Sequence, residues 1–344
     1  MSRWVRIFTL LLYPSRGNQG GIIVQTILVT GSLGLIGSTL VKILGDLNYN
    51  IIAMDIREDN INGNILNYNI LKKLIDNCTG VIHLAAISRV IWGEDNPELC
   101  KKVNVEGTRN IVNACIESTK KPWLIYASSR EVYGQQDIFP VNEDCIFQPH
   151  NQYAKSKIDA ENIVTEARAV GLKSSILRFS NVYGGMSDYS ERVIPAFCWN
   201  AINNQALEVN GKDSLLDFTF VDDVARGIAE VVNVLSSNNE SLPAIHFTTG
   251  KATSLFELAN LIIKLAKSSS DIKLKPKNSI YPSKFYGDYS RAKSLLNWQP
   301  INDIKSGLID YIERLKAEKA KIYTLNMVDI NENIESNTRL SAKI

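Results

Sequence analysis

The sequence predicts an α/β protein: a doubly wound parallel sheet followed by a smaller C-terminal lobe. Two observations carry this. Short apolar runs alternate with helical stretches from Gln25 to Phe179, which is the rhythm of strand–helix–strand units. The first run, Ile27-Leu28-Val29, passes through Thr30-Gly31-Ser32-Leu33-Gly34-Leu35-Ile36-Gly37 into a helical segment. Gly31 permits a sharp turn, Gly34 a close backbone approach, and Gly37 tight packing of the helix. A helix start of this kind presents unpaired amides and a positive dipole end to a phosphate.

The elements follow in order. Gln25–Thr30 reads as a buried strand and Leu35–Leu47 as a helix, with turn residues at Asn48-Tyr49-Asn50. Ile51–Met54 is a second strand and Asn64-Ile65-Leu66 a short third one. Asn69–Asn77 is helical, and Val81–Leu84 is a fourth strand. Pro97–Ser118 is a long helix with proline in its first turn. Trp123–Ala127, a helix over Asn151–Val170, and Ser174–Phe179 complete the pattern. Beyond Ser180 the rhythm loosens. Ser190–Asn203, Asp222–Leu235 and Ser254–Ala266 read as helices, with Asp222 and Thr253 or Ser254 as caps. Leu207–Val209, Leu216–Val221 and Ile245–Thr248 read as strands, and a last helix begins at Asn302 or Asp303.

The expected organisation is a leader over 1–23 outside the fold and a nucleotide-binding domain over 24–180, to which 216–235 returns. A lobe over 181–321 and a polar tail over 322–344 follow. The apolar stretch Ile7–Tyr13 is too short to span a bilayer, which takes about 20 residues, so no membrane partner is expected. A net charge of +2 gives no electrostatic case for nucleic acid. Five cysteines without a Cys-x-x-Cys spacing, and three scattered histidines, point to no disulfide framework and no metal. This usage fits a reducing, cytoplasmic setting.

Three constellations carry chemistry. Asp55 ends the second strand, about 20 residues beyond the glycine loop, where a carboxylate accepts hydrogen bonds from an adenosine ribose. It would repel a 2′-phosphate, which favours NAD, although Arg57 stands close by. Tyr153 and Lys157 lie four apart on one helix face. An ammonium beside a phenol favours the phenolate, whose pKa starts near about 10, and so makes a base for a hydroxyl proton. Ser128-Ser129-Arg130-Glu131 follows the fifth strand at the carboxyl edge, where ligands bind. A serine there can donate to a carbonyl or alkoxide oxygen, and Glu131 can act as a second acid or base.

With these in view, the chain resembles an extended short-chain dehydrogenase/reductase of the NAD-dependent nucleotide-sugar epimerase/dehydratase family, from about Val24 to Leu315. The resemblance rests on Thr30 to Gly37, His83-Leu84-Ala85-Ala86, Asn104-Val105-Glu106-Gly107-Thr108, Ser128 to Gly134, Tyr153 with Lys157, Leu177 to Gly184, Phe218 to Val224 and Leu295 to Pro300. It implies a Rossmann domain with a substrate-binding lobe, and a homodimer through the 97–118 and 151–170 helices. Carried over by position, it implies Tyr153 as base, Lys157 as the ribose-binding lysine that activates Tyr153, and Ser129 as catalytic hydroxyl. Glu131 joins them as acid or base in the dehydratase and decarboxylase branches. Gly31, Gly34, Leu35, Ile36, Gly37, Asp55, Asn64, Ile65, Leu84, Ala85 and Ala86 would hold NAD. Ser129, Asn181, Arg192 and Val193 would hold the substrate, a nucleotide sugar.

Two departures bear on the reaction. Many relatives carry Arg-Asp where this chain has Leu216-Asp217, and the arginine holds a phosphate there; Lys212, Arg192 and Arg291 are candidate substitutes. Plain 4-epimerases usually place a small or apolar residue at the position of Glu131. The expected reaction is transient oxidation of a nucleotide-linked sugar at C4, as in a UDP-sugar 4-epimerase. A 4,6-dehydratase using Glu131, and a dehydrogenase or reductase of a free sugar or sugar acid, are the alternatives.

Overall fold

A computed structural model describes residues 25–59, 61–238, 240–276 and 283–321. The expected leader over 1–23 and tail over 322–344 lie outside them. The chain begins β1 (Thr26–Thr30), α1 (Leu35–Asp46), β2 (Asn50–Met54), α2 (Tyr68–Ile75) and β3 (Gly80–His83). After α3 (Val90–Asp95) comes one long helical stretch: α4 (Pro97–Lys101), a π-turn over Lys102–Glu106, and α5 (Gly107–Glu117). Then come β4 (Trp123–Ser129), α6 (Gln152–Arg168) and β5 (Ser174–Phe179). The second half runs β6 (Asn181–Tyr183), α7 (Val193–Ile202), β7 (Leu207–Asn210), β8 (Leu215–Leu216), β9 (Phe218–Phe220) and α8 (Val221–Ser237). It continues through β10 (Ile245–Phe247), β11 (Thr253–Ser254), α9 (Leu255–Ala266), β12 (Ile272–Lys275), β13 (Lys284–Phe285) and α10 (Ser290–Leu296) to α11 over 304–321.

The central sheet has the order β10-β5-β4-β3-β1-β2 and is parallel throughout. Its middle strands β3, β4 and β5 are buried along their whole length, as a sheet covered on both faces requires. One face packs Leu40 and Leu44 of α1 with Ile228 and Val232 of α8. The other packs Leu71 of α2, Ile111 of α5 and Val164 of α6. Each such fully buried side chain contributes about 1.5–3 kcal/mol. A separate core, with Phe197, Leu258, Ile262 and Ile312, belongs to the lobe.

The sheet departs from expectation in one strand. Asn64-Ile65-Leu66 is a turn, because the Asn64 side chain accepts from the amide of Leu66 at 2.9 Å and bends the backbone out of a strand. The sixth strand is instead β10, which pairs with β5 in register Ile245 to Leu177. The sheet side therefore recruits more of the late chain than 216–235. Trp298 is buried in the same core and donates to the Asp223 carbonyl at 2.9 Å, while the Asp223 carboxylate accepts from the amides of Ile301 and Asn302. Asp222 does not cap its helix: Phe220 holds that position, and Asp222 lies in the first turn. Ser254 caps α9 through a reciprocal capping box with Glu257.

Candidate active site

The glycine loop is shaped by the absence of side chains. Gly31 has φ +72°, and a Cβ there would stand 2.7 Å from the Ala85 amide nitrogen. A Cβ on Gly37 would collide with the carbonyl oxygen of Gly31. Gly34 starts α1 with no side-chain cap, so the first-turn amides face the cavity without a competing side chain.

The loop after β3 is fixed against it. The Thr108 hydroxyl donates to the Asn104 carbonyl at 2.6 Å, so it accepts from His83 Nε2–H at 3.1 Å. His83 Nδ1 then accepts from Thr30 at 2.8 Å, and Thr30 accepts from the Ala85 amide. Burial pushes the His83 pKa down to about 3, so the ring is neutral. Asn104, at the π-turn, clamps Ile87 through both its amide and carbonyl and donates to Ser156 on α6.

Asp55 is buried at the end of β2. Burial raises its pKa, but hydrogen bonds from the Arg57 side chain and from the amides of Arg57 and Leu33 outweigh that, and the carboxyl is held below its usual range. The sequence left Arg57 as a neighbour; the structure closes it onto Asp55 as a fork at 3.1 and 3.2 Å.

The reacting end forms where β4 meets α6. The Ser128 hydroxyl donates to buried Glu161, which accepts from Nε and Nη2 of Arg178. Ser128 is thereby committed, and Ser129, whose hydroxyl accepts from the Glu131 amide at 3.2 Å, is the serine left to donate into the cavity that Tyr153 lines. Lys157 donates to the Ala127 carbonyl at 2.8 Å, with its ammonium 5.8 Å from the Tyr153 ring centre. Asn151 caps α6 and also donates to Glu131 at 3.2 Å. Glu131 forms a buried ion pair with Arg130 at 2.8 Å.

The expected depression of the Tyr153 pKa is not seen in the chain alone. Burial dominates and pushes the phenol up; Ser129 and Arg192 pull it down, and Glu131 pushes it further up. Lys157 is itself depressed by burial, to about 8, with Cys100 and Glu161 opposing.

One cavity of about 1330 Å³ joins these parts, and every residue expected to bind cofactor or substrate lines it. Arg192 caps the start of α7 and pairs with Asp188 at 2.9 Å; Val193 is the first residue of that helix. Asn181 donates its side-chain amide to the Asp217 carbonyl at 2.9 Å. Of the three candidates for the missing arginine, only Arg192 lines this cavity. Arg291 is held by Asp144 and the Ala244 carbonyl, and Lys212 lines a smaller cavity. Asp217, beside Leu216, is fully buried and accepts from Thr248, Thr249 and Gly250. It is a pin between β8–β9 and the loop after β10.

Sequence reasoning missed the segment between β6 and α7. Ser187 donates to the Gly34 carbonyl at 3.2 Å, Glu191 pairs with Arg89 at 3.1 Å, and Tyr189 meets Trp92 edge-on at 4.6 Å between ring centres. This segment bridges the lobe to the glycine loop and to the start of α3. These partners lie too far apart in sequence for any local pattern to join them.

A cradle that only glycine fits, an acid at the end of the second strand, and Ser, Tyr and Lys on one cavity wall define a short-chain dehydrogenase/reductase. The chain belongs to the NAD dependent epimerase/dehydratase family, whose model matches residues 27–241. It is 32% identical over 308 residues to a putative UDP-glucose 4-epimerase of Methanocaldococcus jannaschii, covering 84% of this chain and 98% of that protein. The solved UDP-glucose 4-epimerase of Thermotoga maritima with UDP-glucose is similar at 25% identity and TM-score 0.79, over 85% of this chain and 99% of that one. MoeE5 in complex with UDP-glucuronic acid and NAD is similar at 27% identity and TM-score 0.79, with the same two coverages. This protein is an NAD-dependent enzyme of that family. The loop without room for a Cβ and the buried Asp55 fit that cofactor. Among the described residues, no helix is long and apolar enough to cross a membrane.

Proposed function

We propose that the enzyme is a UDP-sugar 4-epimerase that oxidises and re-reduces its substrate at C4. The observation that carries this reading is the placement of Ser129, Tyr153 and Lys157 on one cavity between the glycine loop and the lobe. Gly31, Gly34, Gly37 and Asp55 hold the cofactor, with Leu35, Ile36, Asn64, Ile65 and Leu84–Ala86 along its length. Bound there, NAD supplies a two-electron acceptor and a positive ring that favours the phenolate. Tyr153 takes the C4 hydroxyl proton and returns it when the oxygen is reduced again. Ser129 donates to that oxygen throughout. Lys157 holds the ribose and supplies the local positive charge. Asn181, Arg192 and the start of α7 at Val193 hold the nucleotide side of the substrate.

Glu131 keeps a second reading open, loss of water from C5 and C6 after oxidation, because its buried carboxylate lines the same cavity as Tyr153. The test is mass spectrometry of products from a panel of nucleotide sugars. Unchanged mass with a new retention time is expected, and Glu131→Gln should keep that product. A loss of 18 Da that disappears in Glu131→Gln would replace the epimerase by a dehydratase. Net accumulation of NADH with a free sugar would replace both by a dehydrogenase.

The same reading takes residues 181–220, 251–287 and the 304–321 helix as the substrate lobe, the rest of the described chain as the nucleotide-binding body, and a cytoplasmic homodimer as the working form. The pairing would run through α4–α5 and α6, where Leu99 is exposed on the outer face. Sedimentation of the full chain tests it.

A further inference from the structure

Arg130 carries an unanswered donor. The residue is 6% exposed, its Nη2 is engaged by Glu131 at 2.8 Å, and its Nη1 is buried with no hydrogen-bond partner. The guanidinium lies over the Phe285 ring, 5.3 Å from the ring centre, so its plane is held. Arg130 lines the same cavity as Ser129, Glu131 and Tyr153. The other arginines lining that cavity, Arg57, Arg89 and Arg192, each have an acid partner and no buried nitrogen left unpaired. A buried guanidinium N–H without an acceptor is costly and calls for one.

We infer that Arg130 Nη1 recognises a carboxylate at C6 of the sugar, so that the substrate is a nucleotide-linked uronic acid. The inference rests on the reading above that C4 sits at Ser129 and Tyr153. In a pyranose, C5 is bonded to C4 and carries C6, whereas C1, which bears the diphosphate, lies across the ring. Arg130 follows Ser129 directly in the chain and lines the cavity together with Ser129 and Tyr153. It is therefore at the C4 end of the sugar and away from the diphosphate, and of the two carbons bonded to C4 only C5 bears a further carbon, C6, that can carry a carboxylate. A carboxylate is the strongest acceptor that position can offer to an arginine. Arg130 would then bridge two acids, Glu131 through Nη2 and the sugar through Nη1, and offset the repulsion between them.

The test compares UDP-glucuronate with UDP-glucose on the NAD-loaded enzyme. Wild type should favour the uronate in kcat/KM by about tenfold to a hundredfold, the usual worth of a hydrogen bond to a charged group. Arg130→Lys keeps a cation beside Glu131 but loses the second arm. It should bring that ratio close to one, mainly through a higher KM for the uronate. Glu131→Gln removes the competing charge and should lower the uronate KM while leaving the hexose KM less affected. A wild type that prefers the hexose overturns the inference, and so does an unchanged ratio in Arg130→Lys. Equal KM losses on both sugars also overturn it, because they would assign Nη1 to the shared diphosphate. If wild type turns over neither sugar, the epimerase reading fails. Calorimetric binding of the two nucleotide sugars to the wild type and Arg130→Lys then decides Arg130 by the same ratio.

Discussion

The glycine-loop end of the cavity and its reacting end are built from different materials. At the glycine loop the determinants are mostly main chain: a left-handed Gly31, a Gly37 pressed on the Gly31 carbonyl, and the open start of α1, with Asp55 as the buried acid beside them. At the reacting end they are buried side chains in charge pairs or hydrogen bonds: Arg130 with Glu131, Glu161 with Arg178, Lys157 on the Ala127 carbonyl. A main-chain site tolerates changes of charge and fails on a change of volume. A site made of buried polar groups does the reverse, because each group depends on its partner and on the local dielectric. The two ends should therefore fail separately, and substitutions can show whether they do.

The largest effect belongs to Tyr153→Phe. It removes one oxygen at the reacting end and leaves the ring volume unchanged, so kcat should fall about 10²- to 10⁴-fold, the usual share of a positioned acid or base. NAD binding, measured by titration on the same protein, should stay within a few-fold. A parallel loss of NAD affinity would show that the two ends are one unit.

Gly37→Val is the converse. Its Cβ meets backbone atoms of Gly31 and Ser32, which cannot rotate away. Overpacking of this kind costs about 1–3 kcal/mol, so NAD affinity should fall about tenfold to a hundredfold. At saturating NAD, kcat should recover most of its value. A kcat that stays low at saturation would mean that the strain reaches Tyr153.

The same difference governs what could be read from the sequence. The loop and Asp55 act through residue types at fixed local spacing, so Gly31, Gly34, Gly37 and Asp55 were visible as a set. Tyr153 and Lys157 were visible for the same reason, four apart on α6. Ser129 over Ser128 was legible only through the family pattern; the physical reason is Glu161, which takes the Ser128 hydroxyl from 33 residues away. The unpaired arm of Arg130 and the bridge from Glu191 to Arg89 have no local signature, because each depends on chain brought in from elsewhere. β10 was legible as a strand but not as a member of the main sheet, since a parallel edge finds its partner through tertiary packing. The mistaken third strand did leave a signal: Asn62-Gly63-Asn64 is turn chemistry, and apolar Ile65-Leu66 outweighed it.

The smallest effect concerns Lys157 and separates the two ends by pH. Burial lowers its pKa from 10.5 to about 8 in the folded chain. Below pH 8 the lysine is protonated in both states, and folding bears the full cost of burying the charge. Between about 8 and 10.5 the unfolded chain still binds that proton and the folded chain has released it, so the lysine favours folding increasingly as pH rises. Buried thiols such as Cys78, and buried phenols such as Tyr133, are pushed the other way and mask the trend above pH 9. Comparison with Lys157→Met cancels them. In urea titrations of the NAD-free protein, wild type should gain on Lys157→Met by up to about 1 kcal/mol per pH unit within that window. Gly37→Val should run parallel to wild type, because no charge at the glycine loop changes. Parallel curves for wild type and Lys157→Met would mean that Lys157 is hydrated in the free enzyme, and the reacting end would then not be the buried, charge-sensitive half that its geometry describes.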